Sequence, residues 1–424
     1  MVLSQLIKRE IKAFLKNPGF IISMVILFAF YAAMGGIMRR SVEETQQIIL
    51  QSNIGLVVED DSLLTRELVK AINETLDGRL RTYSSLIEAV ENTGIGVLIP
   101  HGFTANITSN STTVYLASMI KIDSPSTTII QAKSGILSQL GTLIEHILPY
   151  VVSRVYGYEV QREIAVYIRG SALFYGKQVD ATLLMGFLTL ITMLPLFVGI
   201  LVGTNAGYAA QLVAYEKLEK AFEMLLAQPI KRSSIVIAKI IGASVATIIY
   251  SIVFLASMFT LAMGSLPTSI QSINSDGLNS LIEQLSNQLG VDVAFNFVVS
   301  IAITLVLGLI ESGSLGIILG SLASDERTAG LLITPVMFLY IGLALVFTFI
   351  GFQVNVVTSI ISGIIVLPLP VVYILSLISG ETTYIAVSLL STISTCIVFM
   401  AIAVFLFNRD IVVLGLRVRI RKEQ

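Results

Sequence analysis

Cys396 is the only cysteine in the 424-residue sequence, so no disulfide can form within the chain. It lies in an uncharged run and reads as a small buried apolar residue without a redox role. His101 and His146 are the only histidines. No HExxH motif or Cys/His cluster surrounds either, which excludes the usual zinc spacings and leaves two solvated side chains. Also missing is a phosphate loop, G-x-x-x-x-G-K followed by Ser or Thr, whose amides would cradle phosphate. The nearest stretch, Gly170 to Gly176 followed by Lys177 and Gln178, has one residue too many and no hydroxyl. No nucleophile, base and orienter set is evident, so the chain is not expected to be an enzyme by itself or to hydrolyse ATP.

Charge is equally scarce. Charged residues make up 13% of the chain and hydrophobic ones 54%, with mean hydropathy +0.85. That is more apolar surface than a soluble protein of this length can bury, and the bilayer is its solvent. The formal net charge of -1 comes from acids and bases held in separate blocks. No basic patch points to nucleic acid.

Leu3, Leu6, Ile7, Ile11, Phe14 and Leu15 follow one helical face, and Lys8, Arg9, Lys12 and Lys16 decorate the rest. Residues 1–17 are expected to lie on the inner membrane surface as an amphipathic helix. Asn17, Pro18 and Gly19 break it. The following stretch, Phe20 to Met38, is long enough to span and shows no cleavage site, so residues 18–38 should remain as the first transmembrane helix. Thr182 to Ala206, Ile235 to Met263, Phe295 to Leu322, Ala329 to Gly351 and Tyr384 to Phe407 each reach the ~20 residues that cross ~30 Å of hydrocarbon.

Val356 to Ile378 is a further apolar stretch, and the basic residues decide its course. Outside residues 39–181, every Lys and Arg lies in the N-terminal helix, in Lys217 to Lys239, at Arg327 or in Arg409 to Lys422. Six crossings put all four blocks in the cytoplasm if 356–378 dips in and out as a re-entrant or outer hairpin bent at Leu367-Pro368-Leu369-Pro370. Asp276, Glu283, Asp292 and Glu381 then lie outside, while both termini, including the basic tail 408–424, lie inside.

Residues 39–181 have the composition of a soluble domain. Asn53 to Val58, Arg79 to Tyr83, Ile95 to Ile99 and Thr112 to Ala117 read as strands. Leu63 to Ile72 and Ser85 to Glu91 read as helices, and Thr127 to Ile168 as mostly helix interrupted near Pro149. The fold class is thus an α-helical polytopic membrane protein, with six transmembrane helices plus a re-entrant or outer helical hairpin, and an inserted extracellular α/β domain on two helical stalks. Helices two to six occupy residues 182–407. Three sequons, at Asn73, Asn106 and Asn110, fall only in the predicted exterior and are candidate N-glycosylation sites.

Glu311 is the one charged residue well inside a predicted span, where an ionised carboxylate costs several kcal/mol unless paired or wet. It is a candidate coupling or substrate-pathway group. The neighbouring Gly308, Gly313, Gly316 and Gly320 equally fit a tightly packed helix face on which Glu311 makes an internal hydrogen bond. Within the cytoplasmic segment 208–234, Glu216 to Lys220 and Glu219 to Glu223 are helical neighbours. Leu218, Phe222, Leu225 and Leu226 form an apolar stripe that Pro229 ends. Such a helix suits docking on a soluble partner or lying on the membrane.

One sequence pattern narrows this choice. Glu219-Lys220-(x)2-Glu223-x-Leu225-Leu226-(x)2-Pro229-Ile230, followed by Lys239 and Gly242, resembles the E-K/R-x-x-E-x-L-L-x-S/T-P-V/I…G-K-x-x-G pattern of type-2 ABC transporter permeases. The similarity is to the branch that includes the sodium-exporting NatB subunit. Gln228 and Ala238 depart from the pattern. Gly96-Val97-Leu98-Ile99-Pro100-x-Gly102-Phe103 is similar to a strand and turn of that family's outer domain, and the likeness covers nearly the whole chain.

The resemblance implies that Glu216, Glu219, Lys220, Phe222, Glu223, Leu225, Leu226, Pro229 and Ile230 contact a separate ATP-binding subunit. It further implies two such subunits, a second permease subunit in a homodimer or heterodimer, and ATP and magnesium on the partner rather than a cofactor in this chain. The expected protein is a multi-pass plasma-membrane exporter permease. An ion- or proton-coupled secondary transporter using Glu311 is the alternative, although no internal repeat supports it. A membrane-anchored extracellular scaffold would need fewer crossings. Sodium, drugs, lipids, peptides and polysaccharides all remain compatible substrates.

Overall fold

The computed structural model describes residues 53–109, 113–122, 127–157, 164–218, 232–265, 275–351 and 353–407, with isolated helical positions at 25, 28, 32, 36, 39 and 43. The amphipathic start 1–17, most of the span 18–38, the segment Glu219 to Ile230, Asn110 and the tail 408–424 lie outside the described residues.

The first half of the described chain alternates strands and helices: β1 (Ile54–Val58), α1 (Leu63–Thr75), β2 (Leu80–Thr82), α2 (Leu86–Thr93), β3 (Ile95–Ile99), α3 (Phe103–Thr108), β4 (Thr113–Ile122), α4 (Thr127–Tyr156), β5 (Ala165–Phe174) and β6 (Lys177–Asp180). They form one sheet in the order β2-β1-β3-β4-β5-β6. The strand β1 runs parallel to β2 and β3, β4 parallel to β5, and the β3–β4 and β5–β6 pairs are antiparallel. Local chemistry sets the boundaries. Ser62 and Ser85 cap α1 and α2 through their side-chain oxygens, and Gly94 ends α2 in the left-handed conformation. Gly55 lets α2 approach β1, since a Cβ there would sit 2.7 Å from the Ala89 Cβ.

One sequence expectation is corrected here. The helix expected to break near Pro149 and reach Ile168 runs through Pro149 and ends at Tyr156, and residues 165–174 form a strand. Ten residue pairs join β5 to β4 in parallel, and this extended pairing outweighs any local helical pattern. Tyr175 (φ 48°) and Gly176 (φ 76°) turn β5 into β6. The chain then enters α5 (Ala181–Leu218) with no loop, Asp180 accepting from the Thr182 and Leu183 amides at 2.9 and 3.0 Å. The near-match to a phosphate loop is therefore a strand and its hairpin turn.

The second half is helical: α5, α6 (Arg232–Ser265), α7 (Ser275–Leu289), α8 (Val293–Leu322), α9 (Glu326–Ile350), α10 (Val356–Ile365), α11 (Leu369–Ser379) and α12 (Thr383–Phe407). Among the described residues, five helical segments are long and apolar enough to cross a membrane: Ala132–Tyr156, Ala181–Lys217, Val293–Leu322, Glu326–Phe349 and Thr383–Phe407. The first of these belongs to α4. Its stripe Ile136, Leu140, Ile144 and Leu148 is buried in the core of the sheet region, and Glu145 Oε1 accepts from the Val166 amide of β5 at 2.7 Å. At 10 and 11 residues, α10 and α11 are about 15 and 17 Å long, too short to cross singly. They pack as a pair against α12 and α8.

No hydrophobic gap separates the sheet from the bundle. One buried cluster runs from Leu116 and Phe174 through Leu184, Phe187 and Ile191 of α5 to Ile374 and Ile378 of α11. The helix α7 completes the joint: Gln288 Oε1 accepts from the Asp180 amide at 3.1 Å, and Lys177 donates to the Leu289 carbonyl.

Candidate functional site

The helices α5 and α8 cross at backbone contact because Gly308, Ser312, Gly316 and Gly320 lie every fourth residue along one face of α8. A Cβ on Gly316 would lie 2.2 Å from the Ala206 carbonyl oxygen, and one on Gly320 would lie 2.6 Å from that of Ala210. Small residues permit such an approach where lipid supplies no hydrophobic drive between helices. At the crossing, buried Asn205 donates from Nδ2 to the Leu309 carbonyl and to Ser312 Oγ, both at 2.8 Å. Its Oδ1 accepts from Thr247 Oγ1 of α6 at 3.0 Å. One amide side chain thus ties α5, α6 and α8 together.

Glu311 adjoins this knot. It is 0% exposed, and neither carboxyl oxygen has a hydrogen-bond partner among the described residues. Buried Tyr340 of α9 and Cys396 of α12 lie in its neighbourhood. Cys396 donates to the Leu307 carbonyl at 3.4 Å. The expected internal hydrogen bond of Glu311 is absent among the described residues, although the tight helix face beside it is present.

At the end of α5 away from the sheet, three consecutive side chains reach three helices. Tyr215 faces Glu326 in the first turn of α9. Glu216 pairs with Lys239 of α6, whose side chain is only 6% exposed. Lys217 Nζ donates to the Ser321 and Ala323 carbonyls at the end of α8, at 2.6 and 2.7 Å. The segment Glu219 to Ile230 begins two residues later. Nearby, Asp325 caps α9 by accepting from the Thr328 amide at 2.7 Å. Burial pushes its carboxyl up, but hydrogen bonds from Thr328 and Ser324 and the charge of Arg327 outweigh this and hold it below the usual carboxylate range.

Residues 18–405 match the family described as ABC-2 family transporter protein. The chain belongs to this family. No curated protein and no solved structure matches it. An ABC-2 transporter protein is a multi-pass membrane subunit, and membership implies an ATP-binding partner subunit.

Of the residues singled out in sequence, Glu216 and Glu311 belong to this bundle. Asn73 is half-buried, its Oδ1 accepting from the Leu80 amide at 3.3 Å, whereas Asn106 is exposed on α3. Asn205 and Thr247 went unnoticed in sequence, where Lys217 reads only as a cytoplasmic basic residue. A usable signal existed for Asn205, the one amide side chain in the apolar run Thr182 to Ala206.

Proposed function

We propose that this ABC-2 transporter protein is the permease of an ATP-driven exporter of the NatB-like branch. Its substrate moves outward at the interface with a second permease subunit, identical or divergent. Two ATP-binding subunits hold ATP and magnesium, and Phe222, Leu225 and Leu226 enter an apolar groove on one of them, with Glu219, Lys220 and Glu223 around it and Pro229-Ile230 turning the chain into α6. Residues 39–181 face outward, 356–378 form the outer hairpin, and both termini are cytoplasmic. Family membership over residues 18–405 carries this reading.

Copurification with the ATP-binding subunit tests it. Leu226→Asp removes a central apolar anchor, which costs about 2 kcal/mol or more of binding and should release that subunit. Retention of the subunit at parental levels sinks the docking assignment. In the same membranes, Gly380→Cys should label from outside and Ser233→Cys only from inside; the reverse pattern sinks the orientation.

A further inference from the structure

Successive residues of an α-helix project ~100° apart, so three in a row cover most of its circumference. At the end of α5 each of the three engages a different helix: Tyr215 with α9, Glu216 with α6, Lys217 with α8. The contacts have different chemistry. Lys217 satisfies carbonyls that the last turn of α8 leaves without intrahelical partners, at the negative end of that helix. Glu216 and Lys239 form an ion pair in which Lys239 is almost wholly buried, and beyond it Glu216 Oε2 and Lys239 Nζ have no hydrogen-bond partner among the described residues. Breaking that pair leaves a buried charge alone. The helix beyond is continuous for 38 residues, about 57 Å, and passes into β6 without a loop.

We propose that Tyr215, Glu216 and Lys217 form a clamp that transmits displacement of segment 219–230 to α6, α8 and α9 together, with Glu216–Lys239 as its positioning pair. This rests on the reading of that segment as the docking site of the ATP-binding subunit. Glu216 therefore acts inside the bundle and is not part of the docking surface. A segment tethered to α5 alone would move one helix; the clamp makes the four move as one body.

The test uses the complex of this chain with its ATP-binding subunit, in a Cys396→Ser background with fluorophores at Glu283→Cys and Glu381→Cys, both exposed positions near the sheet end. The distance between them is read before and after trapping with ATP and vanadate. In the parent the distance changes. In Lys239→Gln the ATP-binding subunit is retained while the change falls at least about fivefold, within the range of typical coupling energies. Lys239→Glu does the same, and Glu216→Lys combined with Lys239→Glu restores the change. Restoration separates the clamp from a merely structural anchor, and a stability measurement on each variant identifies any that fail to fold.

A parent distance that does not respond overturns the proposal, as does an undiminished change in Lys239→Gln, loss of the ATP-binding subunit from that variant, or a charge swap that restores folding but not the change. Failure of the parent to bind an ATP-binding subunit refutes the docking reading first and takes the clamp with it, so the two failures are distinguishable.

Discussion

In the sheet region, Leu64, Leu68, Ile72, Val97, Ile99 and Phe103 fill the space between strands and helices with large side chains. Where α5 meets α8 in the bundle, Gly316 and Gly320 leave that space empty of side chain so that backbones touch. The solvent explains the difference. Water rewards burial of large apolar groups by about 25 cal/mol per Å², whereas lipid is as apolar as leucine and leaves close packing and hydrogen bonds to hold helices together. The same contrast governs polar groups: serines in the sheet region cap exposed helix ends, while Asn205 satisfies a serine, a threonine and a carbonyl within one buried knot.

The sharpest way to break this comparison is to exchange the two packing styles. Gly316→Leu drives a side chain into the Ala206 carbonyl, where backbone cannot yield, and should cost more than about 4 kcal/mol, the exceptional end of single substitutions. Leu68→Ala, at a fully buried position in the sheet core, should cost about 3 kcal/mol by leaving a cavity. Thermal unfolding and yield of the detergent-purified protein check both. A Gly316→Leu protein as stable as the parent would mean that α5 and α8 do not meet at this distance.

Carboxylates divide the regions in the same way. Glu145 accepts from a backbone amide at 2.7 Å, whereas Glu311 lies buried with neither oxygen bonded among the described residues. Glu145→Gln keeps an acceptor oxygen and should change little. For Glu311→Gln the expectation is assembly with the ATP-binding subunit intact and transport impaired, because a carboxyl kept unpaired at that depth fits a group used during the cycle better than one used in packing. Loss of assembly, or transport at the parental rate, would assign Glu311 to packing or to no role.

Much of this was legible before the structure. The alternation of strand and helix from Asn53 to Ala117 could be read because caps and turn residues sit beside short apolar runs, and four of the five long apolar helices coincide with predicted spans. The strand β5 escaped because its sequence gains a sheet partner only once β4 is in place, a pairing far away along the chain. The joint between sheet and bundle escaped for the same reason: Gln288 meets Asp180 across 108 residues of sequence and Lys177 meets Leu289 across 112. At the candidate site, Glu311 stood out by its charge, but the partners of Glu216 and Lys217 did not, because nothing local in Tyr215-Glu216-Lys217 says that each faces a different helix.

The smallest effect is expected at Asp325, the cap of α9 beside the clamp. Its carboxylate accepts from the Thr328 amide, and its folded-state pKa lies below the usual range because hydrogen bonds and Arg327 outweigh burial. A depressed folded pKa means that the charged form is favoured by folding. The stabilisation is therefore fully present above the unfolded-state pKa, near ~4, and is lost as pH falls through the lower folded-state value. Asp325→Asn retains a capping oxygen but not the charge, so it should fall slightly below the parent at neutral pH and converge with it at acid pH, losing this acid-side dependence. Asp325→Ala removes the cap and should cost about 1 kcal/mol at neutral pH. Thermal unfolding of the three proteins from neutral to acid pH separates charge from cap: if Asp325→Asn retains the parent's acid-side slope, the slope comes from other carboxylates and the charge at Asp325 contributes nothing to it.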